Sequence, residues 1–563
     1  MLNIENRNKI KLFIIGSFLG IIAFLLLYGF DIINVINTEW LSHKGDLTQH
    51  YMGWLFYRNS DWYFPLGLMD TVTYPDLYSI IYSDSIPLLA VLFKALSPIL
   101  PETFQYFGIW GMLCYALQGG FAAILLSKAT KKKILIFIGS LFFVFSPWMF
   151  HRLYMHSSLA AHWIILCSML ISLDSKIKSY KTTIIKWSLL MGIAAGIHIY
   201  FLPIITIFIG CNALYIMWLN RKSMRKVTLI FAESFIPFIP AFLTLYLLGA
   251  FTGNYSYASG GFGEASANLN FLFNSVGHSI LFSELPNPTS KWHEESFGYL
   301  GLGLFVLLPI SIALILFDKK IKDSVRENRS YLLFTVLLMG ICLIVSTAPV
   351  VAFNDKLLFS WNMITPIEWV LEVFRSLGRF VWPICYIIMY LTVVVIVKSL
   401  DSTLGGVTIG SSLLIVGLVL QLYDLSGFIR GRINWVKEPV GYKNIEEHIW
   451  DSFEDQYNHI YSFEETNWQD ISIYAATHDK TMNMTYLARL DSQSLIRSWN
   501  NTAEDLRRGI IDSDYIYIFP CAWSPEDFSG LNTMYIYYLD GYYIAAGEEL
   551  NGIDEYIIKA KNR

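Results

Sequence analysis

The chain has 563 residues, of which 54% are hydrophobic, 16% aromatic and only 15% charged. An ordinary soluble domain carries about 25% charged residues, so this composition, with a mean hydropathy of +0.45, excludes a disordered chain, a nucleic-acid binder and an ordinary soluble enzyme. The net charge of −4 hides a split: from Trp435 onward 22 acidic residues stand against 10 basic ones, a net of −12, which leaves the rest at +8.

A membrane-crossing helix needs about 20 mostly apolar residues. Such runs fall at 11–30, 104–127, 133–149, 158–174, 185–200, 201–219, 227–250, 297–317, 331–352, 379–398 and 405–423. They predict a mainly α, polytopic membrane helical bundle of about eleven transmembrane helices over 1–430. Basic clusters lie at 6–11, 128–133, 176–186, 220–226 and 318–329. With eleven spans all five fall on the side of the N-terminus, which the positive-inside rule makes cytoplasmic. The expected location is therefore the cytoplasmic (inner or plasma) membrane, crossed many times.

The opposite loops, about 31–103, 251–296 and 353–378, are long and poor in basic residues. Residues 85–99 are apolar but short, flanked by Pro87 and Pro98, and read as a re-entrant or interfacial helix. The remainder, 435–563, predicts a soluble extracytoplasmic α/β domain. Strands are expected at 471–475, 514–519, 534–538 and 542–545, the last two joined through Asp540-Gly541, a hairpin signal. Helices are expected at 444–453 and 492–508. No nucleophile elbow, metal motif or phosphate loop stands out there, so the domain reads as an accessory one or as a contributor to acceptor binding. Five of the six cysteines lie in expected spans and none forms a CxxC pair; they read as small core residues.

Function should lie where polar groups interrupt the apolar body on its outer side. In 41–58 (LSHKGDLTQHYMGWLFYR) Gly45 breaks the chain before a helix, and Asp46, Gln49 and His50 share one helical face. The alternative is an interfacial helix capped by Asp46. Asp84 is either a second active-site carboxylate or a cap for the re-entrant helix. In 150–163 (FHRLYMHSSLAAHW) His151, Arg152, His156 and His162 gather at an outer helix end. His156 and His162 are six apart and share no helical face, which disfavours a metal site; they suit a lipid-phosphate or sugar cavity, or an interfacial anchor. His198 and Tyr200 lie at another outer end, where polar residues at membrane depth usually face a cavity.

The loop 252–302 supplies Glu264, Glu294 and Glu295. Its Gly260-Gly261-x-Gly263 run lacks the GK[ST] of a phosphate loop. In 374–383 (FRSLGRFVWP) Arg375 and Arg379 stand at an outer mouth where basic residues are disfavoured. They suit a bidentate phosphate clamp or snorkelling to headgroups.

Together GDLTQHY (45–51), HSSLAAHW (156–163), ESFGYLGLG (295–303) and FRSLGRFVWP (374–383) resemble the GT-C class of membrane glycosyltransferases, within it a bacterial branch using polyprenyl-phosphate sugar donors. The resemblance covers about 1–425. It implies direct displacement with inversion, from a lipid-linked sugar donor to a cell-envelope glycan or glycolipid acceptor on the outer face. Asp46 takes the place of the class's first-loop carboxylate and acts as base, with Asp84 as a second catalytic carboxylate. Arg375 or Arg379 holds the lipid phosphate. Gln49, His50, Arg152, His156, His162, His198, Tyr200, Glu295 and Tyr299 complete the substrate-binding set.

The class often carries an Asp-x-Asp or Glu-x-Asp pair where this chain has Asp46-x-x-Gln49, so no metal ligand is assigned and a divalent cation (Mg or Mn) stays an open question. The chemistry suits the residue types: a carboxylate base assists a weakly acidic hydroxyl, and fixed cations stabilise charge on a leaving phosphate. Membrane lipids are the other expected partners, and nucleic acid is not one. Alternatives are a transporter or flippase of lipid-linked sugars, a polysaccharide polymerase or ligase, and a non-catalytic scaffold for the acidic tail.

Overall fold

A computed structural model of the protein describes residues 4–42, 45–174, 180–253, 263–287, 293–361, 368, 371–438, 445–463, 468–485, 487, 489, 492–520, 522–528 and 530–559. The chain divides into two compact units. One comprises Met1–Asn37, Tyr106–Thr244 and Gly260–Glu438; the other comprises Thr38–Gln105, Leu245–Ser259 and Pro439–Arg563.

The protein is a multi-pass membrane helical protein. Among the described residues nine helices are long and apolar enough to cross a bilayer: Asn6–Tyr28, Phe107–Leu126, Lys133–Arg152, Ser157–Asp174, Phe201–Leu219, Met224–Leu247, Arg329–Ser346, Leu377–Leu400 and Leu404–Asp424. A tenth arises if Leu302–Phe317 and Lys319–Glu327, bent by 84° at their junction, count as one. The bend has a local cause: Asp318 caps the second helix, its carboxylate accepting from the backbone N–H of Lys320 at 2.8 Å and of Ile321 at 3.4 Å. Tyr180–Ile197 is also an 18-residue helix. It carries Lys181 and Lys186 and falls outside the apolar set, which accounts for the difference from the expected eleven.

Within the first unit, Asn6–Tyr28 packs on Phe107–Leu126 through glycines. A Cβ on Gly16 would stand 2.4 Å from the Gly119 carbonyl oxygen, and one on Gly20 would stand 2.0 Å from that of Tyr115. Close backbone approach of this kind is how membrane helices gain packing without a hydrophobic drive. At the lysine-rich ends, the buried Asp174 carboxylate pairs with both Lys128 and Lys186, the latter at 2.7 Å. The expected cysteines at 114, 167, 211, 342 and 385 are free thiols; Cys521 lies outside the described residues.

The second unit holds the first long loop together with the C-terminal segment. Its six-stranded sheet runs Ile557–Lys559, Tyr535–Leu539, Tyr542–Ala546, Tyr515–Phe519, His459–Ser462, Thr481–Met482. The pairs His459–Ser462 with Tyr515–Phe519 and with Thr481–Met482 are parallel, and the others are antiparallel. Asp540 and Gly541 turn the hairpin with φ of +52° and +85°, the left-handed pair that a two-residue turn of this hand requires.

The expected strand at 471–475 is instead part of the helix Trp468–Thr477. Its buried residues Trp468, Ile471, Ser472, Ala475 and Ala476 follow helical spacing, a pattern that five residues of β-branched and aromatic character conceal. The first-loop segment is hydrogen-bonded to this domain: Tyr74 N–H donates to the Met482 carbonyl at 2.8 Å, and Met482 N–H to that of Thr71 at 2.8 Å.

The re-entrant segment is the helix Pro87–Leu96 followed by a short turn, Ser97–Ile99. Ile86 occupies the cap position with no side-chain hydrogen bond, and Asp84 sits in the left-handed region at φ +56°.

Candidate functional site

The first unit concentrates charge around one carboxylate. Arg152 ends the span Lys133–Arg152, and Arg379 lies in the turn Leu377–Phe380 that begins the span Leu377–Leu400. Glu295 lies in the short turn His293–Ser296. These three come from positions far apart in sequence and meet at one point. Arg152 Nη1 donates to Glu295 Oε1 at 3.0 Å, and Arg379 Nε donates to Glu295 Oε2 at 2.7 Å. Arg152 Nη2 also donates to the carbonyls of Glu294 and Glu295, at 3.1 and 3.2 Å. His156 Nε2 stands 3.6 Å from Glu295 Oε1.

Arg152 is only 2% exposed and Arg379 only 7%. Such burial is costly for charge unless it is paired. The Glu295 carboxylate is shared between two guanidinium groups, and Arg152 Nε has no hydrogen-bond partner among the described residues. Burial opposes ionisation of Glu295, but Arg152 and Arg379 overcome it and hold the carboxyl well below its usual range.

Aromatic rings frame the cations. The Arg379 guanidinium lies 4.3 Å from the Tyr200 ring centroid and that of Arg152 lies 5.5 Å from Trp382. Tyr200 is held in turn: its hydroxyl accepts from the Ser376 N–H at 2.8 Å, and its own N–H donates to His198 Nδ1 at 3.2 Å. The sequence-expected residues Arg152, His156, Tyr200, Glu295 and Arg379 therefore form one cluster, with His198 directly behind it. Arg375 is half-buried, with no hydrogen-bond or ion-pair partner among the described residues.

Other expected residues have different surroundings. His162 Nδ1 shares a hydrogen bond of 2.9 Å with the Tyr386 hydroxyl. That hydroxyl also meets Ser146 Oγ at 2.7 Å and accepts from Gln118 at 3.0 Å. Tyr299 donates to Asp424 at 2.8 Å, and Asp424 also accepts from Leu302 N–H at 2.9 Å. Trp382, Tyr386 and Asp424 are the members that sequence reading left out. They sit on continuous apolar spans, and only the i, i+4 spacing of Trp382 and Tyr386 marks them. Residues 254–262, with part of the glycine run, lie outside the described residues.

In the second unit, the helix Asp46–Asn59 begins as expected after Gly45, at φ +109°. Asp46 occupies its first turn and is partly exposed, while Gln49 and His50 are buried. The His50 carbonyl accepts from Ser85 Oγ at 2.6 Å, next to Asp84 in sequence.

Comparison with curated proteins finds no match. Among solved structures, the archaeal oligosaccharyltransferase AglB from Archaeoglobus fulgidus, in complex with an inhibitory peptide and a dolichol-phosphate, is similar over 97% of this chain and 75% of that one, at 11% identity and a TM-score of 0.39. A family model described as a domain of unknown function, DUF6311, matches residues 17–426, and the DUF6311 C-terminal domain matches residues 449–547. The chain belongs to the DUF6311 family.

Proposed function

We propose that this protein is a membrane glycosyltransferase that moves a sugar from a polyprenyl-phosphate donor to a cell-envelope glycan or glycolipid on the outer face. The observation that carries the reading is the buried cluster in which Arg152 and Arg379 converge on Glu295, with Arg152 Nε left without a hydrogen-bond partner among the described residues. Both arginines belong to span ends opposite Lys133 and Lys398, the level at which a lipid phosphate would lie. Fixed guanidinium groups aimed at a phosphate stabilise charge that develops as the sugar departs. Arg375 is a further donor for the same group.

Asp46 serves as base, taking the acceptor proton as the hydroxyl oxygen bonds to the anomeric carbon and the phosphate leaves with the bonding electrons. The configuration at that carbon inverts. Transfer is tested with purified full-length protein, polyprenyl-phosphate sugar and a glycan acceptor. Asp46→Asn should abolish product while leaving membrane levels normal, and Arg379→Ala should lower donor affinity. Movement of intact donor across a vesicle membrane without product would instead mark a flippase. Full activity in Asp46→Asn would remove Asp46 from the mechanism.

A further inference from the structure

The second unit carries a set of donor atoms that the proposed transfer does not use. Asp451 and Glu454 are three residues apart on the 3-10 helix Asp451–Gln456, where side chains at that spacing eclipse and share a face. His478 follows the end of the helix Trp468–Thr477. Its Nδ1 lies 2.9 Å from the Tyr474 carbonyl, one turn back. A carbonyl can only accept, so Nδ1 carries a proton and Nε2 is the ring atom left to face other groups.

Nε2 faces Asp451 Oδ1 at 3.2 Å and Glu454 Oε2 at 3.8 Å, and all three atoms lie within 4.8 Å of one another. The ring is stacked on buried Tyr474 at 4.2 Å and 25°, which fixes its plane. Among the described residues neither carboxylate pairs with Lys or Arg. The adjacent Lys480 ammonium donates to the backbone carbonyls of Glu454 and Tyr457, at 2.8 and 2.9 Å. The hydroxyls of Tyr457 and Tyr474 are buried beside these carboxylates and interact with each other. Two like charges converging on one imidazole nitrogen repel unless a cation or a proton joins them.

We propose that Asp451, Glu454 and His478 bind a divalent transition metal of the zinc class. Zn–N and Zn–O bonds of roughly 2.0–2.1 Å in a tetrahedron put ligand atoms about 3.3 Å apart. The contacts at 3.2 and 3.8 Å are close to that spacing, and a small rotation of Glu454 closes the difference. A mixed imidazole and carboxylate set favours zinc over calcium or magnesium, which take oxygen donors. The Tyr474 carbonyl supplies the outer hydrogen bond that orients a metal-bound histidine. Three protein ligands leave the fourth position to water or an exogenous donor. The ion would join the end of one helix to the turn that carries both carboxylates. The three donors span 28 residues, which is why no compact sequence motif announces them.

The test uses full-length protein in detergent, stripped with chelator and titrated with Zn²⁺. Calorimetry, elemental analysis and thermal unfolding are read together. Wild type should bind one more equivalent than His478→Gln, and Zn²⁺ should raise its Tm but not that of the variant. Asp451→Asn, milder because this carboxylate is more exposed, should weaken binding about tenfold or more. Co²⁺ should give a visible ligand-field spectrum that His478→Gln loses. Equal zinc binding by wild type and His478→Gln overturns the proposal. So does a wild type whose Tm ignores Zn²⁺ while His478→Gln alone unfolds earlier, since His478 would then act as a protonated ion-pair partner. Glycosyl transfer is not read at any point, so neither result bears on that reading.

Discussion

Replacing Glu295 with Gln removes the charge between Arg152 and Arg379 while preserving shape, so any loss comes from electrostatics and not from a cavity. The carboxylate accepts at 3.0 and 2.7 Å from groups that are 2% and 7% exposed. At roughly 4 Å between charge centres and an effective dielectric near 20, each pair is attracted by about 4 kcal/mol before desolvation is subtracted. Breaking a buried pair by removing one partner leaves the other charge uncompensated and costs about 3–5 kcal/mol. Here two guanidinium groups lose a shared carboxylate at once, so a loss within that range is expected.

Denaturant or thermal unfolding of the purified protein in detergent measures this loss. Added polyprenyl phosphate should narrow the gap between variant and wild type, because an anion can replace the lost charge. A loss below about 1 kcal/mol, the range of exposed pairs, would show that solvent screens the cluster. The case for a buried anion site would then fail.

Three further outcomes follow from the same geometry. Arg375→Ala, which removes no partnered contact among the described residues, should leave stability within about 0.5 kcal/mol of wild type while weakening polyprenyl-phosphate binding roughly tenfold, the equivalent of about 1.4 kcal/mol. A fall in Tm with unchanged affinity would contradict the assignment. Because the Glu295 carboxyl is held below its ordinary value of 4.5, its contribution should be fully present above that pH and lost as pH falls through the lower folded value. The stability difference between wild type and Glu295→Gln should accordingly be flat near neutrality and shrink in acid; a difference that grows in acid would reverse the sign argued here. Gly119→Ala places a Cβ 2.2 Å from the Gly16 carbonyl oxygen, so the helices must separate at a cost of about 1–3 kcal/mol, read by unfolding in detergent. A neutral result would mean that the two helices do not pack through these glycines.

The membrane body was legible from the chain because its signal is local. Each apolar run is long enough to satisfy its backbone hydrogen bonds internally and to match a bilayer, and the helices follow those runs within a few residues. Local chemistry also marked Gly45 before the first-loop helix and Asp540-Gly541 at the hairpin. It misled at 471–475, where five residues favoured a strand and the longer burial period makes a helix. At Asp84 it left a helix cap and a catalytic carboxylate both open, and Ile86 holds the cap position.

Arg152, Glu295 and Arg379 could each be singled out as charges out of place in an apolar chain, because burying charge without compensation is expensive wherever it occurs. Their mutual pairing was not readable. Contacts across 143 and 84 residues depend on which helix ends the packed bundle brings together. The same holds for Asp451, Glu454 and His478, and for the first loop sharing a unit with the C-terminal segment. Hydrophobic length and turn chemistry act over a few residues and are written in the sequence itself; the distances between charges are set by how the helices pack, and only the tertiary structure decides them.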